Sequence, residues 1–171
     1  MSGDPASVSH LAGACHRSAE VLRAKGDAVE AARGDLESWR GRVAVRHRRQ
    51  AEALSFGAAS AAVAARELGR RLQDYATVLS QTQAEIREIE QAAKRAGVEM
   101  RAGLLVPRWG ITGEADVDLA QARDQTAHDL QARWRTTVAL AERRAAQLRS
   151  ALLTLDHDLT DMTVRLEQRL P

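Results

Sequence analysis

Apolar residues recur at heptad spacing along most of this chain, and the pattern predicts three long helices. In the first segment one set of positions falls every seven residues, at Val8, Cys15, Leu22, Val29 and Leu36. The companion set of the heptad consists of Leu11, Ser18, Ala32 and Trp39. This spacing puts both sets on one helix face and is typical of a coiled-coil seam. A side stripe of Ala14, Val21 and Ala28 predicts contact with more than one neighbour.

The second segment, from about Arg42 to Ala96, keeps an alternating three-and-four spacing without a slip. Its seam positions are mostly small in the first half and larger in the second: Ala44, His47, Ala51, Leu54, Ala58, Ala61, Ala65, Leu68, Leu72, Tyr75, Leu79, Thr82, Ile86, Ile89, Ala93 and Ala96. An alanine seam lets helices approach closely. At about 1.5 Å per residue this helix would be roughly 80 Å long and the first roughly 50 Å, so the unmatched length requires a third helix.

The ends of these two helices carry their own signals. Asp4 can cap the free amides of the first helix, and Pro5 suits its first position because the missing N–H costs nothing there. Trp39-Arg40-Gly41 interrupts the two periodic segments and predicts the corner between them. Gly97 predicts a left-handed cap at the end of the second helix.

A short β-hairpin is predicted between the second and third helices. Residues 98–107 alternate in polarity around a central Ala102-Gly103 turn. Residues 108–113 then form a predicted loop with Trp109, and the third helix is expected to begin near Glu114 to Asp116, where acidic groups favour a helix N-terminus. Its seam continues toward the C-terminus through Ala127, Trp134, Val138, Ala141, Ala145, Leu148, Leu152, Leu155, Leu159, Met162 and Leu166.

Together these elements predict an all-α fold, an elongated antiparallel bundle of three long helices with the hairpin between the second and third. The expected organisation is one structural domain with a helical hairpin in residues 1–97, a connection in 98–113 and a third long helix in 114–171. Antiparallel folding pairs Val8 with Tyr75, Leu36 with Ala44, Trp134 with Leu79 and Leu159 with Leu54. The predicted rod has three helices at the Trp39 end and two helices with the hairpin at the other.

Composition narrows this picture. Of 171 residues, 44% are hydrophobic but only 3% are aromatic, so the core rests on Ala and Leu and must be thin. The N-terminus lacks a basic region followed by an apolar run, and no stretch approaches the roughly 18 apolar residues that span a bilayer. We therefore expect synthesis in the cytoplasm, no membrane span, no Sec signal peptide and, for any export, a route other than general secretion.

Catalytic chemistry is not predicted. The five histidines are scattered over the three helices, at His10, His16, His47, His128 and His157. No two of them have the i, i+4 spacing that clamps a metal, and their carboxylate neighbours at that spacing resemble ordinary helix-surface pairs. Cys15 has no partner cysteine, so neither a disulfide nor a thiolate metal site is expected. The sequence therefore predicts no enzyme and no cofactor.

The start of the second helix is strongly basic, with Arg40, Arg42, Arg46, Arg48 and Arg49 around His47. One interpretation is a site for nucleic acid or an anionic surface, and the other is a solvated helix face. No aromatic residues are interleaved for base stacking, which favours the solvated face. The net charge of +2 also gives no reason to expect nucleic acid as a partner.

Several of these features occur together in a known family. The matching positions are Gly3, Asp4 and Pro5 at the start, Trp39 and Gly41 at the corner, and the Leu72 to Leu79 segment around Tyr75. They resemble the WXG-type helical-hairpin proteins of type VII secretion, in the long N-terminal variant that begins with Gly-Asp-Pro. The resemblance implies a folded, exported hairpin that acts in pairs and is recognised through the Trp-x-Gly corner and a C-terminal Tyr-x-x-x-Asp/Glu segment. Here Leu79 stands four residues after Tyr75, which leaves the acidic element to a partner.

The favoured function is a non-enzymatic type VII secretion-associated protein, whether substrate, targeting module or pairing partner, that acts through helix–helix contacts. The expected partners are another helical WXG-like protein or a second copy as a homodimer, and further a translocation ATPase or a chaperone. The predicted partner-binding seam consists of Leu72, Tyr75, Leu79, Ile86 and Ile89. An intracellular, cytoplasmic coiled-coil adaptor is the alternative, and a basic-helix nucleic-acid binder comes third.

Overall fold

The computed structural model describes residues 3–108 and 117–169. Its elements in chain order are α1 (Pro5–Asp35), a 3₁₀ turn (Leu36–Ser38), α2 (Arg42–Arg95), β1 (Val98–Arg101), β2 (Leu104–Pro107) and α3 (Val117–Arg169). The predicted all-α class, with three long helices and one short hairpin, is confirmed. The loop position Trp109 and the predicted start of the third helix at Glu114 to Asp116 lie outside the described residues.

The start of α1 is fixed by capping. The carboxylate of Asp4 accepts hydrogen bonds from the backbone N–H of Ala6 at 3.2 Å and of Ser7 at 3.0 Å, and Pro5 is the first helical residue. The Ser7 hydroxyl donates a further bond to Asp4 at 2.6 Å. These bonds, the hydroxyl bond most strongly, favour the ionised form and lower the pKa of Asp4.

The chain forms two compact units. The hairpin unit comprises Met1–Gly3 and Thr77–Ala145, and the three-helix unit comprises Asp4–Ala76 and Ala146–Pro171. Both α2 and α3 contribute residues to each unit, so the unit boundaries fall inside helices. The organisation expected from the sequence places its boundaries in the connection between α2 and α3 instead.

The hairpin unit has a closed apolar core. β1 and β2 pair in antiparallel fashion with Val98 opposite Pro107. Ala102 and Gly103 both have positive φ, 49° and 80°, which is the geometry of a two-residue hairpin turn. The buried core consists of Ile89, Ala93, Val98, Leu105, Ala127 and Leu130, with Trp134 packed against it. A lone two-stranded hairpin is marginal in water, so this core is what keeps it folded.

A glutamine side chain fastens the hairpin to α3. The backbone N–H of Leu105 donates to Oε1 of Gln131 at 2.7 Å, and Nε2 of Gln131 donates to the carbonyl of Gly103 at 3.5 Å. At the base of the hairpin the N–H of Arg108 donates to the carbonyl of Gly97 at 2.7 Å. Gly97 has φ +67°, as predicted for a left-handed helix end.

Within the hairpin unit, α3 is displaced along α2 from the predicted pairing. Antiparallel counting from the helix ends predicts Trp134 beside Leu79, whereas Arg133 forms an ion pair with Glu85 at 2.6 Å. Residues of α3 that precede Trp134 pack on the hairpin. The first part of α3 therefore packs on the hairpin, whereas the prediction placed it along α2.

In the three-helix unit, α1 approaches α2 through small residues. The buried positions of α1 are Ala12, Ala19 and Gly26. A methyl group added at Gly26 would lie 3.3 Å from Cβ of Ala58, and one added at Gly69 would lie 3.0 Å from the carbonyl oxygen of Ala12. Because the backbones come this close, the heptad positions that face the partner helix have to be small.

Because α1 and α2 approach so closely, part of the predicted seams is wrong. The α1 set that begins at Val8 and repeats every seven residues is half-buried as predicted. The companion set is exposed rather than buried, at Leu11, Ser18, Ala32 and Trp39. Six further predicted contact positions are also exposed, namely Val21, Ala28, His47, Leu54, Leu152 and Leu159. Heptad spacing gives the period of a seam, but the partner helix packs on the neighbouring stripe where alanine and glycine allow the closest approach.

Candidate functional site

An open groove runs along the three-helix unit between the first half of α2 and the second half of α3. Its volume is about 1540 Å³. The lining residues of α2 lie between Arg49 and Arg71, and those of α3 lie between Gln147 and Leu166. At about 1.5 Å per residue the α2 wall is roughly 33 Å long. The groove therefore has the length of a site for one further helix of six turns.

The α2 wall of the groove carries the most exposed large apolar side chains of that helix. Phe56 is 67% exposed and Val63 is 63% exposed. Together with Ala53 and Ser60 they follow a three-and-four spacing, so they form a second stripe on α2. The small residues that meet α1, such as Gly69, lie on a different face of the same helix. Phe56 and Val63 are therefore left without a covering helix in their unit, whereas Ala53 is buried.

The α3 wall combines apolar residues with charged side chains, including Arg165. The apolar lining residues are Leu155, Leu159, Met162 and Leu166. Leu166 marks where the two walls touch, because a methyl group added at Gly57 would lie 2.7 Å from its Cδ1. Asp158 and Asp161 also line the groove, and His157 Nε2 lies 3.8 Å from Oδ2 of Asp161. The third helix thus presents leucine, methionine and carboxylates to the same opening.

Two carboxylates with different surroundings lie toward the same end of the groove. Glu67 accepts hydrogen bonds from Arg70 at 2.8 Å and from Arg71 at 2.7 Å, and these bonds, the Arg70 bond most strongly, lower its pKa to about 2. Asp158 precedes Leu166 by eight residues, which in an antiparallel pair places it level with residue 65 of α2, beside Glu67. Among the described residues no cation pairs with Asp158. Arg71 also lines this end of the groove, where it is paired with Glu67.

The Trp39 corner connects α1 to α2. Trp39 is extended, with φ −79° and ψ 144°, and its N–H donates to the carbonyl of Leu36 at 3.2 Å. Gly41 has φ +100°, which glycine adopts without strain, and its carbonyl accepts from the N–H of Val45 at 3.2 Å. Trp39 is 57% exposed, so most of its ring does not serve to close the end of the bundle. That surface is available to another molecule.

The basic segment after the corner does not form a purely polar face. Its exposed arginines are Arg40, Arg42, Arg46 and Arg49. Arg48 is half-buried, and its Nε donates to the carbonyl of Ala44 at 3.4 Å. Val43 and Val45, which stand between the arginines, are exposed as well. Apolar and cationic side chains therefore alternate at the start of α2.

The predicted partner-binding seam lies mostly inside the molecule. Leu72 is buried in the three-helix unit, and Leu79 and Ile89 are buried in the hairpin unit. Tyr75 and Ile86 are half-buried. These residues supply intramolecular packing here, and the apolar surface left open to a partner is the groove.

Residues 3–108 and 117–169 hold no cluster of side chains that could bind a metal ion. No three His, Cys, Asp or Glu side chains in this part of the chain lie close enough to hold a metal ion. Cys15 is half-buried, and the His157 and Asp161 side chains are exposed on a helix surface. Over the same residues, no helix combines the length and the apolar character needed to cross a bilayer.

Comparison with known proteins adds no further assignment. No family model, curated protein or solved structure matches the chain. The resemblance to WXG-type proteins therefore stays a prediction, and function has to be argued from the groove and the corner.

The heptad pattern of the sequence does not identify Phe56 and Val63 as groove residues. The stripe containing Phe56 and Val63 is interrupted by the polar residues Ser60 and Glu67, so the continuous seam beside it gives the stronger pattern. One signal could have found the groove, because Phe56 is the only phenylalanine and falls outside the predicted seam. A large aromatic side chain off the seam of a helix indicates a second contact surface.

Proposed function

We propose that this chain is a non-enzymatic pairing module associated with type VII secretion. It binds a helical partner in the groove of the three-helix unit and is recognised through the Trp39 corner. The observation that carries the pairing half is the groove, where Phe56 and Val63 are exposed along a helix-length opening. Contiguous exposed apolar surface of this kind marks interaction sites on folded proteins.

The corner supports the secretion half of the proposal. A Trp39 ring buried among neighbouring helices would serve the fold alone, whereas an exposed ring next to Gly41 is free to enter a pocket on a translocation ATPase. Tryptophan is among the side chains that contribute most to binding at protein interfaces. The acidic residue of the Tyr-x-x-x-Asp/Glu element is replaced by Leu79, which is buried, so in this proposal the helical partner supplies that element.

The secretion half is tested by Trp39→Ala in cells that have a type VII system. Export should be lost while the helical content and the melting temperature stay close to those of the parent chain, because the ring is mostly exposed. Leu153→Ala, which removes another large exposed side chain from the three-helix unit, is the matched control and should be exported normally. Export of Trp39→Ala at the parent level would remove the corner from any recognition role.

The alternative remains a coiled-coil adaptor that stays inside the cell. The observation that favours it is the absence of an acidic residue four positions after Tyr75. An adaptor would use the groove for its partner but would not depend on Trp39. Retention of both the parent chain and Trp39→Ala in the cytoplasm, with the same partner bound to each, supports the adaptor over the secretion module.

A further inference from the structure

We infer that the groove binds an anionic amphiphile with a single acyl chain, of the fatty-acid class. Its head group lies at the corner end of the groove, which is marked by Arg49, and its acyl chain lies along α2. The inference goes beyond the proposed function and does not depend on it, because it concerns the chain before a helical partner binds. The amphiphile and a helical partner use the same groove, so they bind in turn and not together.

One continuous stripe of α2 runs through the groove and beyond it toward the corner. Its positions alternate in steps of four and three residues, which places them on one face of the helix. They are Arg42, Arg46, Arg49, Ala53, Phe56, Ser60 and Val63. The first three are cationic, and all but one of the others are apolar. The stripe therefore has the two parts that an amphiphile requires, a charged site for the head group and an apolar site for the chain.

The cationic part of the stripe is exposed and has no internal counter-charge. Among the described residues, none of its three arginines forms an ion pair. Glu52 is the one acidic residue between Arg42 and Phe56. With Leu166 packed against Gly57, the end of α3 at Arg169 lies level with residue 54, so the arginines lie past that wall of the groove. An anionic head group would therefore find three guanidinium groups free to bind it.

The far end of the groove has the opposite character. Glu67 and Asp158 lie there with Asp161 one turn closer to the corner, and Arg71 is already paired with Glu67 at 2.7 Å. Arg165, the cation of the α3 wall, lies on the corner side of both aspartates. An anionic head group at the far end would meet carboxylates and a cation that is already paired. Charge therefore orients the amphiphile with its head group toward the corner.

The apolar part of the groove has the length of one acyl chain. At about 1.5 Å per residue, the stripe from Ala53 to Val63 is roughly 15 Å long. The chains of one leaflet fill half of a bilayer core of about 30 Å, so a single chain has the same length. Phe56 stands on this stripe, and Leu159 and Met162 of α3 form the facing wall. Sites for small ligands have this composition, with an apolar lining and a few charged groups that set the orientation.

The chemistry of the ligand is tested by calorimetric titration of the full chain with monomeric myristate. Myristate should bind with one-to-one stoichiometry. Tetradecyltrimethylammonium has a chain of the same length with a cationic head group, and it should bind at least about tenfold more weakly. Octanoate should also bind more weakly, because it covers less apolar surface. Equal affinity for the anionic and cationic amphiphiles, or no binding of myristate by the folded chain, would overturn the inference.

Two arginines of α2 test the position of the head group. Arg49→Gln should weaken myristate binding about fivefold, the contribution typical of one arginine beside anionic lipid head groups. Arg66 is an exposed arginine of the same helix outside the groove, so Arg66→Gln should leave the affinity unchanged. Equal losses in the two variants would mean that myristate responds only to overall charge, which overturns the head-group site.

Two valines of α2 test the position of the chain. Val63 lies in the groove and is 63% exposed, while Val43 lies outside it and is 62% exposed. Val63→Ser should weaken myristate binding at least about threefold, because the acyl chain loses apolar contact, and Val43→Ser should not change it. Circular dichroism checks that both variants are folded. The same affinity in both variants rules out the groove as the site of the chain.

The remaining outcomes separate this inference from a membrane surface and from the proposed function. Binding to vesicles of anionic phospholipid, without binding to monomeric myristate, would overturn the groove site in favour of a membrane surface at the arginines. A chain that pairs with a helical protein through Val63 but does not bind myristate overturns the inference and leaves the proposed function in place. A chain that binds myristate in the groove and pairs with no helical protein supports the inference and removes the pairing half of the proposed function.

Discussion

The two units use the same helix α2 in opposite ways. In the hairpin unit, Leu79 and Ile89 are the largest fully buried side chains, at 2% and 0% exposure. In the three-helix unit, Phe56 and Val63 stand in the open groove. Whether the apolar side chains of α2 are buried therefore depends on the side chains that the neighbouring elements pack against them.

The hairpin packs on α2 with bulky side chains, whereas α1 packs on it with small ones. Val98 and Leu105 of the hairpin close the core around Ile89. By contrast, α1 meets α2 through Ala12, Ala19 and Gly26, a contact that brings two backbones together but covers only one face. The closed unit is therefore expected to supply stability, and the open unit is expected to supply the surface for binding.

The largest effect on the free energy of unfolding should come from a substitution in the closed core of the hairpin unit. Ile89→Ala removes a fully buried side chain and should lower the free energy of unfolding by about 2 to 5 kcal/mol. Leu153→Ala, an exposed position in the three-helix unit outside the groove, should change it by less than about 0.5 kcal/mol. Urea unfolding followed by circular dichroism measures both. Similar losses at the two sites would remove the distinction between closed and open units.

A smaller loss of stability is expected from a substitution in the contact between α1 and α2. Gly69→Ala places a methyl group 3.0 Å from the carbonyl oxygen of Ala12 and from the His16 ring, so the helices have to separate. We expect a net cost of about 1 to 2 kcal/mol. Gly34→Ala meets no atom within 4 Å and should stabilise α1 by up to about 1 kcal/mol. Thermal melts of the two variants should shift in opposite directions, and a stabilised Gly69→Ala chain would contradict the close contact.

The glutamine that fastens the hairpin should contribute still less to the free energy of unfolding. Gln131→Ala leaves the N–H of Leu105 without its acceptor and should cost about 1 kcal/mol. The sharper measurement is hydrogen exchange, because the Leu105 amide should exchange faster while amides of α2 remain protected. Gln125→Ala removes only an exposed bond to Asp129 on the same helix and should leave the Leu105 amide unchanged.

The smallest effect should appear on acidification. Arg70 and Arg71 lower the pKa of Glu67 from its ordinary value of 4.5 to about 2. A carboxylate with a lowered folded-state pKa contributes stability that is complete above pH of about 4.5 and disappears as the pH falls to about 2. Because the three side chains are partly exposed, the contribution is modest. Glu67→Gln should therefore lower the melting temperature at pH 6 but not at pH 2, and equal losses at both pH values would contradict the ion pairs.

Periodicity and capping signals were enough to predict the elements of the fold. Asp4 and Pro5 stand at the start of α1, and Gly97 takes the left-handed conformation at the end of α2. The hairpin turn at Ala102 and Gly103 also follows from local sequence. Such features are predictable because they depend on the backbone preferences of one or two residues.

The groove could not be predicted in the same way, because it depends on which of two stripes each helix uses. Leu11 and Trp39 belong to the same heptad pattern as the half-buried positions of α1. The helix nevertheless packs on α2 through Ala12 and Ala19. That choice is set by how closely two backbones can approach, a property of the pair rather than of either sequence segment. The same choice leaves Phe56 in the open groove.

Hydroxyl-radical footprinting of the chain alone and in complex with a helical partner tests most directly whether binding belongs to the open unit. Phe56 and Met162 line the groove, while Met100 is an exposed side chain of the hairpin and serves as the reference in the same sample. We expect the modification of Phe56 and Met162 to fall when the partner is bound, with that of Met100 unchanged. Protection of Met100 with no change at Phe56 and Met162 would contradict the account.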